Sequence, residues 1–215
     1  MILKSITSLA AMPLAGCQSL PRQDADRAAA RYLDHPSTMY AARDDGGYRI
    51  PGFPYGEVDP RYYRQRVADP TGRAAGTIVV DTARRFLYLV EPNGQAIRYG
   101  VSIGREGFAW KGEGVIAQRR AWPRWTPPGE MLVRKPGLAR YATEAGSMAP
   151  GLSNPLGARA LYIFADGRDT LYRIHGTPEW QTVGRAASSG CVRLFQQDII
   201  DLYARAPDGA RVVVL

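Results

Sequence analysis

The stretch GTIVVDTARRFLYLV, residues 76–90, decides the fold class. Thr77–Asp81 is a β-branched run and Phe86–Val90 is a second apolar run, and the link between them includes Arg84 and Arg85. Two β-forming runs joined by a short polar link predict a hairpin. The turn signal Pro92-Asn93-Gly94-Gln95 follows, and residues 96–103 alternate in the manner of a third strand.

The rest of the C-terminal part continues in short strands. Further strand candidates are residues 115–118, 160–164, 171–175 and 211–215. Helical spacing of apolar residues predicts one helix, Leu194–Ala206, which Pro207 ends. We therefore predict a mainly β, β-sandwich-like domain over residues 76–215 with one late helix.

Residues 17–75 lack this regular periodicity. Asp24–Leu33 is rich in Ala and Arg and predicts one short helix. Pro and Gly then punctuate the chain too often for long elements, yet aromatic residues run through it: Tyr48, Phe53, Tyr55, Tyr62 and Tyr63. We interpret residues 17–75 as an extended arm or linker whose second half packs on the domain.

The composition excludes some classes of protein. The chain of 215 residues is 45% hydrophobic and 22% charged, which excludes global disorder. No run of about 18 apolar residues is present, so the sequence predicts no spanning helix. The net charge is +8, but the basic residues are scattered, so we expect no nucleic-acid partner.

The N-terminus has the order of a secretory signal, in which Lys4 precedes a mostly apolar segment, Ile6–Ala15. The sequence Leu-Ala-Gly-Cys that ends at Cys17 resembles the lipobox of bacterial lipoproteins. This resemblance implies a signal peptide over residues 1–16 and lipid attachment at Cys17. Gln18 follows where an Asp would favour the inner membrane, so we expect a periplasm-facing lipoprotein of the outer membrane.

Cys191 and His175 are the residues most suited to chemistry. His175 ends a strand candidate, and Cys191 follows sixteen residues later, just before the predicted helix. A helix N-terminus lowers a thiol pKa and a nearby imidazole can take its proton, so a Cys–His acyl-transfer site is one interpretation. A buried structural Cys with an ordinary strand His is the other. We expect no metal site, because zinc needs three or four ligands, and no catalytic role for His35.

Several motifs resemble the YkuD-type L,D-transpeptidase catalytic domain. They are His175-Gly176-Thr177, the Ser-x-Gly-Cys-x-Arg sequence that ends at Arg193, the segment DIIDLY at 198–203, GTIVVD at 76–81, WPRWTPP at 122–128 and NPLGARALY at 154–162. The similarity runs from about residue 76 to residue 215. Ser189 departs from the commoner pattern, which has His at that position.

The resemblance implies a β-sandwich enzyme that acts on peptidoglycan tetrapeptide stems without a cofactor. Cys191 would form a thioester with the third stem residue, and His175 would be general base and then acid. Backbone amides of Ser189, Gly190 and Cys191 would form the oxyanion hole, and the Gly176 carbonyl would orient the imidazole. Trp180 and Arg193 would lie close to the substrate, although Arg193 is equally suited to fixing a loop.

The sequence does not select the acyl acceptor. A second stem peptide, a free D-amino acid or a Lys amine of an outer-membrane lipoprotein or porin would each give transpeptidation. Water would give an L,D-carboxypeptidase or an amidase. A peptidoglycan-binding lipoprotein that has lost the reaction is the non-catalytic alternative. The segment Trp122–Pro128 either packs in the core or walls the substrate cleft.

Overall fold

The computed structural model describes residues 31–104, 110–143, 146–188 and 190–215. Within these ranges the helices are α1 (Pro36–Met39), α2 (Gly129–Arg134) and α3 (Gln196–Arg205). Short 3-10 helices cover Tyr55–Glu57, Pro60–Tyr62, Pro136–Tyr141 and Trp180–Thr182. The strands are β1 (Arg31–Tyr32), β2 (Arg43–Asp45), β3 (Tyr48–Ile50), β4 (Gln65–Ala68), β5 (Ile78–Asp81), β6 (Phe86–Glu91), β7 (Gln95–Gly100), β8 (Ile103–Gly104), β9 (Gly112–Ala121), β10 (Arg159–Ala165), β11 (Arg168–Gly176), β12 (Ala186–Ser188), β13 (Val192–Leu194) and β14 (Arg211–Val214).

The predicted hairpin and turn are confirmed. Strands β5 and β6 pair antiparallel, with Ile78 opposite Leu89. The β6–β7 turn places Asn93 at φ 62° and Gly94 at φ 67°, the left-handed conformation that these two residue types adopt most readily. The local chemistry of residues 76–100 therefore specifies three neighbouring strands.

Ten strands form one sheet in the order β1-β4-β7-β6-β5-β14-β9-β10-β11-β13, and the domain is mainly β as predicted. In a flat sheet, the seven strand spacings from β7 to β13 would measure about 34 Å. However, Ser102, just after β7, exchanges two backbone hydrogen bonds of 2.8 Å with Arg193 of β13. The sheet therefore curls until its two ends meet.

The curled sheet encloses the main core. Buried side chains come from both halves of the sheet, including Leu87 and Tyr99 from one half and Leu161 and Ile174 from the other. Helix α3 completes this core with apolar side chains such as Leu202. Burial of this apolar surface is the main stabilising term of the fold.

Two helix predictions need correction. The late helix begins at Gln196, two residues after its predicted start, because Val192–Leu194 forms strand β13. The predicted helix Asp24–Leu33 is wrong at its end, where Arg31–Tyr32 pairs with β4 as strand β1. Residues 24–30 lie outside the described residues.

The N-terminal arm is part of the folded body from residue 31 onward. Strand β4 pairs with β7 and so extends the main sheet. Tyr40 and Tyr63 of the arm form an aromatic cluster with Phe195, which is fully buried directly before α3. The described part of the chain contains no helix that is long and apolar enough to cross a membrane.

The segment Trp122–Pro128 packs partly against this arm. The rings of Trp122 and Tyr48 lie 4.1 Å apart, and the indole Nε1 of Trp122 donates to Asp45 at 2.8 Å. Trp125 is buried, and its backbone bridges to Met148. The core-packing interpretation therefore holds for both tryptophans.

Candidate active site

His175 is the penultimate residue of β11 and is 4% exposed. Its ring Nδ1 lies 2.6 Å from the carbonyl oxygen of Gly176. Because a carbonyl oxygen only accepts, Nδ1 carries the proton in the neutral ring and Nε2 keeps its lone pair. The contact expected between the Gly176 carbonyl and the imidazole is therefore present, and it leaves Nε2 able to accept a proton.

Burial and the charge of Arg193 together lower the pKa of His175 to about 3. The carbonyl of Gly176 opposes the shift, because it favours the protonated ring. His175 is thus neutral across the physiological range. A neutral imidazole is the form that can act as a general base.

Cys191 directly precedes β13, which pairs parallel to β11 with Ile174 opposite Val192 and His175 opposite Arg193. Paired residues share a face of the sheet and side chains alternate along a strand, so Cys191 shares its face with Arg193 and His175. Two neighbouring strands therefore bring Cys191 and His175 to one face, although sixteen residues separate them in the sequence.

The pKa of Cys191 differs from the expected direction. Burial raises it, while a hydrogen bond from the Arg173 backbone N–H and the charges of Arg173 and Arg193 lower it. The expectation that a helix N-terminus lowers this pKa is wrong, because β13 separates Cys191 from the first turn of α3. The resting pair is therefore a thiol and a neutral imidazole on one face of the sheet.

The turn before Cys191 is fixed by Ser188, which is 1% exposed. The Ser188 hydroxyl donates to the carbonyl of Cys191 at 2.6 Å and accepts from the N–H of Gly190 at 3.2 Å. The Gly190 amide, predicted as an oxyanion donor, therefore already has a partner in this state. Ser189, a second predicted donor, lies outside the described residues.

Gly104 supports the same turn from behind. A Cβ at Gly104 would lie 2.8 Å from the Gly190 Cα, closer than real Cβ atoms approach other atoms. Gly190 itself has φ 132°, which L side chains rarely adopt. Two glycines on separate segments thus let the turn pack closely against β8.

Arg193 fixes a loop in this structure. Its Nη1 lies 2.9 Å from Glu179 Oε2, and its Nε is buried without a hydrogen-bond partner among the described residues. Only 16% of the Arg193 side chain is exposed, against 65% for Glu179. The Arg193 guanidinium thus forms an ion pair with a carboxylate that is exposed to solvent.

Trp180 lines a cavity of about 100 Å³, which is a second feature of this region. Its ring stacks on Phe53 at 5.9 Å, so the arm and the domain form this cavity together. Thr177 and Pro178, which follow Gly176, line it on the domain side. A smaller, mostly apolar cavity lies beside Gly190.

Sequence reasoning gave no role to two residues behind His175. Asn154 is fully buried, and its amide donates to the carbonyls of Pro123 and Ala149 at 3.0 Å each, which fixes the loop that carries Pro155. Gln196 fills the space beside Gly176, where a Cβ would lie 2.4 Å from its Oε1. Buried polar side chains of this kind have no signature in a local sequence pattern.

The described residues contain no group of three or more His, Cys, Asp or Glu side chains arranged to hold a metal ion. A thiol and a tautomer-fixed imidazole on one face are the parts of a nucleophilic acyl-transfer site. The family model of the YkuD L,D-transpeptidase catalytic domain matches residues 75–214. The chain therefore belongs to the YkuD family of L,D-transpeptidase catalytic domains.

Two relatives agree with this assignment. A Fuscovulum blasticum protein assigned to the L,D-transpeptidases is 30% identical over 140 residues, covering 64% of this chain and 68% of that protein. The probable L,D-transpeptidase YbiS of Escherichia coli is 34% identical over 146 residues, covering 64% of this chain and 43% of that protein. The chain thus spans less than half of the Escherichia coli relative.

One solved structure is more similar in sequence to this chain than these two relatives are. A Brucella melitensis protein described as a probable carnitine operon oxidoreductase is 44% identical, with a TM-score of 0.50. The match covers 75% of this chain and 99% of that one. The family model and the two relatives above are described as L,D-transpeptidases and not as oxidoreductases.

Proposed function

We propose that this chain is a cysteine-dependent L,D-transpeptidase that acts on peptidoglycan tetrapeptide stems. One observation carries the proposal: the β11–β13 register puts Cys191 and His175 on one face, and the Gly176 carbonyl fixes the imidazole with Nε2 unprotonated. This arrangement provides a nucleophile and a base without any further group. Family membership supports the substrate class.

The proposed reaction has two acyl transfers. His175 Nε2 takes the thiol proton as Cys191 Sγ attacks the carbonyl carbon of the third stem residue. The C–N bond to D-alanine then breaks, and His175 returns the proton to the leaving amine, so that a thioester remains. An acceptor amine attacks the thioester, His175 takes the amine proton, and Cys191 is released as a thiol.

The oxyanion of each tetrahedral intermediate needs donors. The Gly190 N–H can serve only if it leaves the Ser188 hydroxyl, which accepts from it at 3.2 Å. This long hydrogen bond is weaker than the bond that an oxyanion would form with the same amide. We therefore propose that the turn exchanges this partner when the substrate binds.

The first experiment uses the full-length chain in detergent with disaccharide-tetrapeptide and a labelled D-amino acid, read by mass spectrometry. We expect the terminal D-alanine to be exchanged by the wild type and not by Cys191→Ala. Loss of D-alanine without exchange would identify water as the acceptor. Exchange that survives in Cys191→Ala would refute the proposal.

A second readout does not need the natural acceptor. By resemblance to the family, a carbapenem should acylate Cys191 and add its mass to the intact protein. An adduct without turnover would point to a protein acceptor such as an envelope Lys. If neither an adduct nor turnover appears, the non-catalytic binding alternative replaces this proposal.

We propose separately that Cys17, which lies outside the described residues, carries the lipid that anchors the protein to the outer membrane. Several acyl chains would be needed for stable attachment, because one chain binds only marginally. Cys17→Ser should release the protein from sedimented membranes without loss of activity. A variant that still sediments with membranes would contradict the lipid anchor.

A further inference from the structure

Four neighbouring strands extend the face of the sheet that carries Cys191. Strand order β9-β10-β11-β13 is continuous, and Arg120 pairs with Ala160, which pairs with His175, which pairs with Arg193. Paired residues in a sheet share a face, so these four side chains share the face of the nucleophile. The active-site face therefore reaches as far as β9.

The second row of this face is aromatic and basic. Tyr162 pairs with Arg173 on one side and with Gln118 on the other. The Arg173 guanidinium lies 4.3 Å from the Tyr162 ring centre and is held by both oxygens of Asp169, at 2.6 Å and 2.7 Å. The charge of Arg173 is therefore neutralised within the protein.

Arg120 differs from Arg173 in this respect. It is exposed, it lies diagonally across from Tyr162, and among the described residues no carboxylate forms an ion pair with it. The charges of Arg120 and Arg173 both act on the Tyr162 phenol, which places the Arg120 guanidinium near that ring. The face thus presents one uncompensated cation beside a phenol hydroxyl.

We propose that Arg120 and Tyr162 form a subsite for a carboxylate of the stem peptide. This inference rests on the proposed function. Three strand spacings separate β9 from β13, about 14 Å between backbones, which equals about four residues of an extended peptide. Because the Arg120 guanidinium lies near Tyr162 of β10, the bound carboxylate lies over β10, two strand spacings or about 10 Å from β13.

A carboxylate at this distance fits the residue that precedes the acylated one. In a stem peptide that residue is a γ-linked glutamyl unit with a free α-carboxylate, which is converted to an uncharged amide in some walls. A guanidinium and a phenol bind a carboxylate through charge-assisted hydrogen bonds, and an amide replaces only part of that interaction. Arg120 would therefore distinguish isoglutamate stems from isoglutamine stems.

Binding tests this subsite without requiring turnover. The full-length Cys191→Ala chain in detergent is titrated with the two tetrapeptides, one with isoglutamate and one with isoglutamine, by calorimetry. We expect the acid form to bind about five-fold more tightly, and we expect this preference to disappear in Arg120→Gln. The preference should weaken at high salt, because the site is exposed.

The matched control is Arg84→Gln, which removes the same charge from an exposed arginine at the β5–β6 turn. It should leave the preference unchanged, and all variants should keep the unfolding temperature of the parent. Equal binding of both peptides by the parent, or a preference that survives in Arg120→Gln, would overturn the subsite. Absence of both turnover and a carbapenem adduct in the Cys191-containing chain would instead refute the proposed function, so the two failures are distinguishable.

Discussion

Replacement of Arg64 by Met tests how the arm is joined to helix α3. Arg64 is 8% exposed, and its Nη1 lies 3.4 Å from Asp198 Oδ1 and 3.4 Å from Asp201 Oδ1, both on α3. Asp198 is fully buried and also accepts from the Tyr40 hydroxyl at 3.3 Å. Arg64→Met leaves Asp198 without its nearest cation.

The cost of this change depends on pH. Burial raises the pKa of Asp198 to about 7, with the charge of Arg64 opposing and that of Asp201 adding to the shift. The pKa is above that of the unfolded chain, so Asp198 contributes most stability below about pH 4 and loses it as the pH rises to 7. At pH 5.5 Asp198 is already protonated when folded, so losing Arg64 costs its long contacts with Asp201 and with the Gln197 carbonyl, about 1 kcal/mol in all.

At pH 8.5 the folded wild type holds Asp198 ionised beside Arg64. The variant must instead keep Asp198 protonated, and it loses the free energy that the wild type gains by ionising this group. At one and a half pH units above a pKa of about 7, this loss adds about 2 kcal/mol to the cost of the substitution. The total of about 3 kcal/mol agrees with the cost of breaking a buried ion pair. The free energy lost by Arg64→Met should therefore be about three times larger at pH 8.5 than at pH 5.5.

Urea unfolding of the full-length chain, followed by tryptophan fluorescence at both pH values, measures this difference. Arg66→Met is the matched control, because Arg66 forms a more exposed ion pair with Glu91. This substitution should lower the free energy of unfolding by less than about 1 kcal/mol. The double variant Arg64→Met with Asp198→Asn should lose the pH dependence. Equal losses at the two pH values would refute the reasoning.

Three further predictions concern the active site. Gly104→Ala should cost about 1 to 3 kcal/mol and should reduce kcat by at least about ten-fold, measured by unfolding and steady-state assays, because its Cβ displaces the turn of the nucleophile. Glu179→Gln should lower the KM for an anionic donor by about two-fold to five-fold, because it frees Arg193, and an unchanged KM would argue against this role. The pH profile of kcat/KM should be level through neutral pH, because His175 deprotonates a Cys191 thiol whose pKa is raised by burial, and it should show no acidic limb from His175 above about pH 4.

The strands could be predicted from the sequence because their signals are local. The β-branched run at residues 78–81, the apolar run at 86–91 and the turn at Asn93 each specify their own conformation. The C-terminal strand Arg211–Val214 was also predicted, but its place between β5 and β9 was not. Strand order depends on pairings between distant residues, which a local pattern does not encode.

The error at the nucleophile has the same origin. Leu194 fits the apolar spacing of the helix that follows, so the sequence favours a helix that starts at Leu194, three residues after Cys191. In the structure, residues 192–194 pair with β11 instead, and their backbone hydrogen bonds are satisfied by the sheet. The identities of Cys191 and His175 were predictable, but the electrostatic environment of the thiol was not, because burial and the neighbouring arginines arise from this non-local pairing.

The charges around the resting pair explain how substrate binding can prepare the site. After burial, the charge of Arg193 is the next cause of the low pKa of His175. A substrate carboxylate that replaces Glu179 with a closer contact would cancel more of the Arg193 charge. The pKa of His175 would then rise, so the imidazole would become a better base once the donor is bound. The low pKa of His175 in the free protein is thus compatible with catalysis, because it describes the site before its anionic ligand arrives.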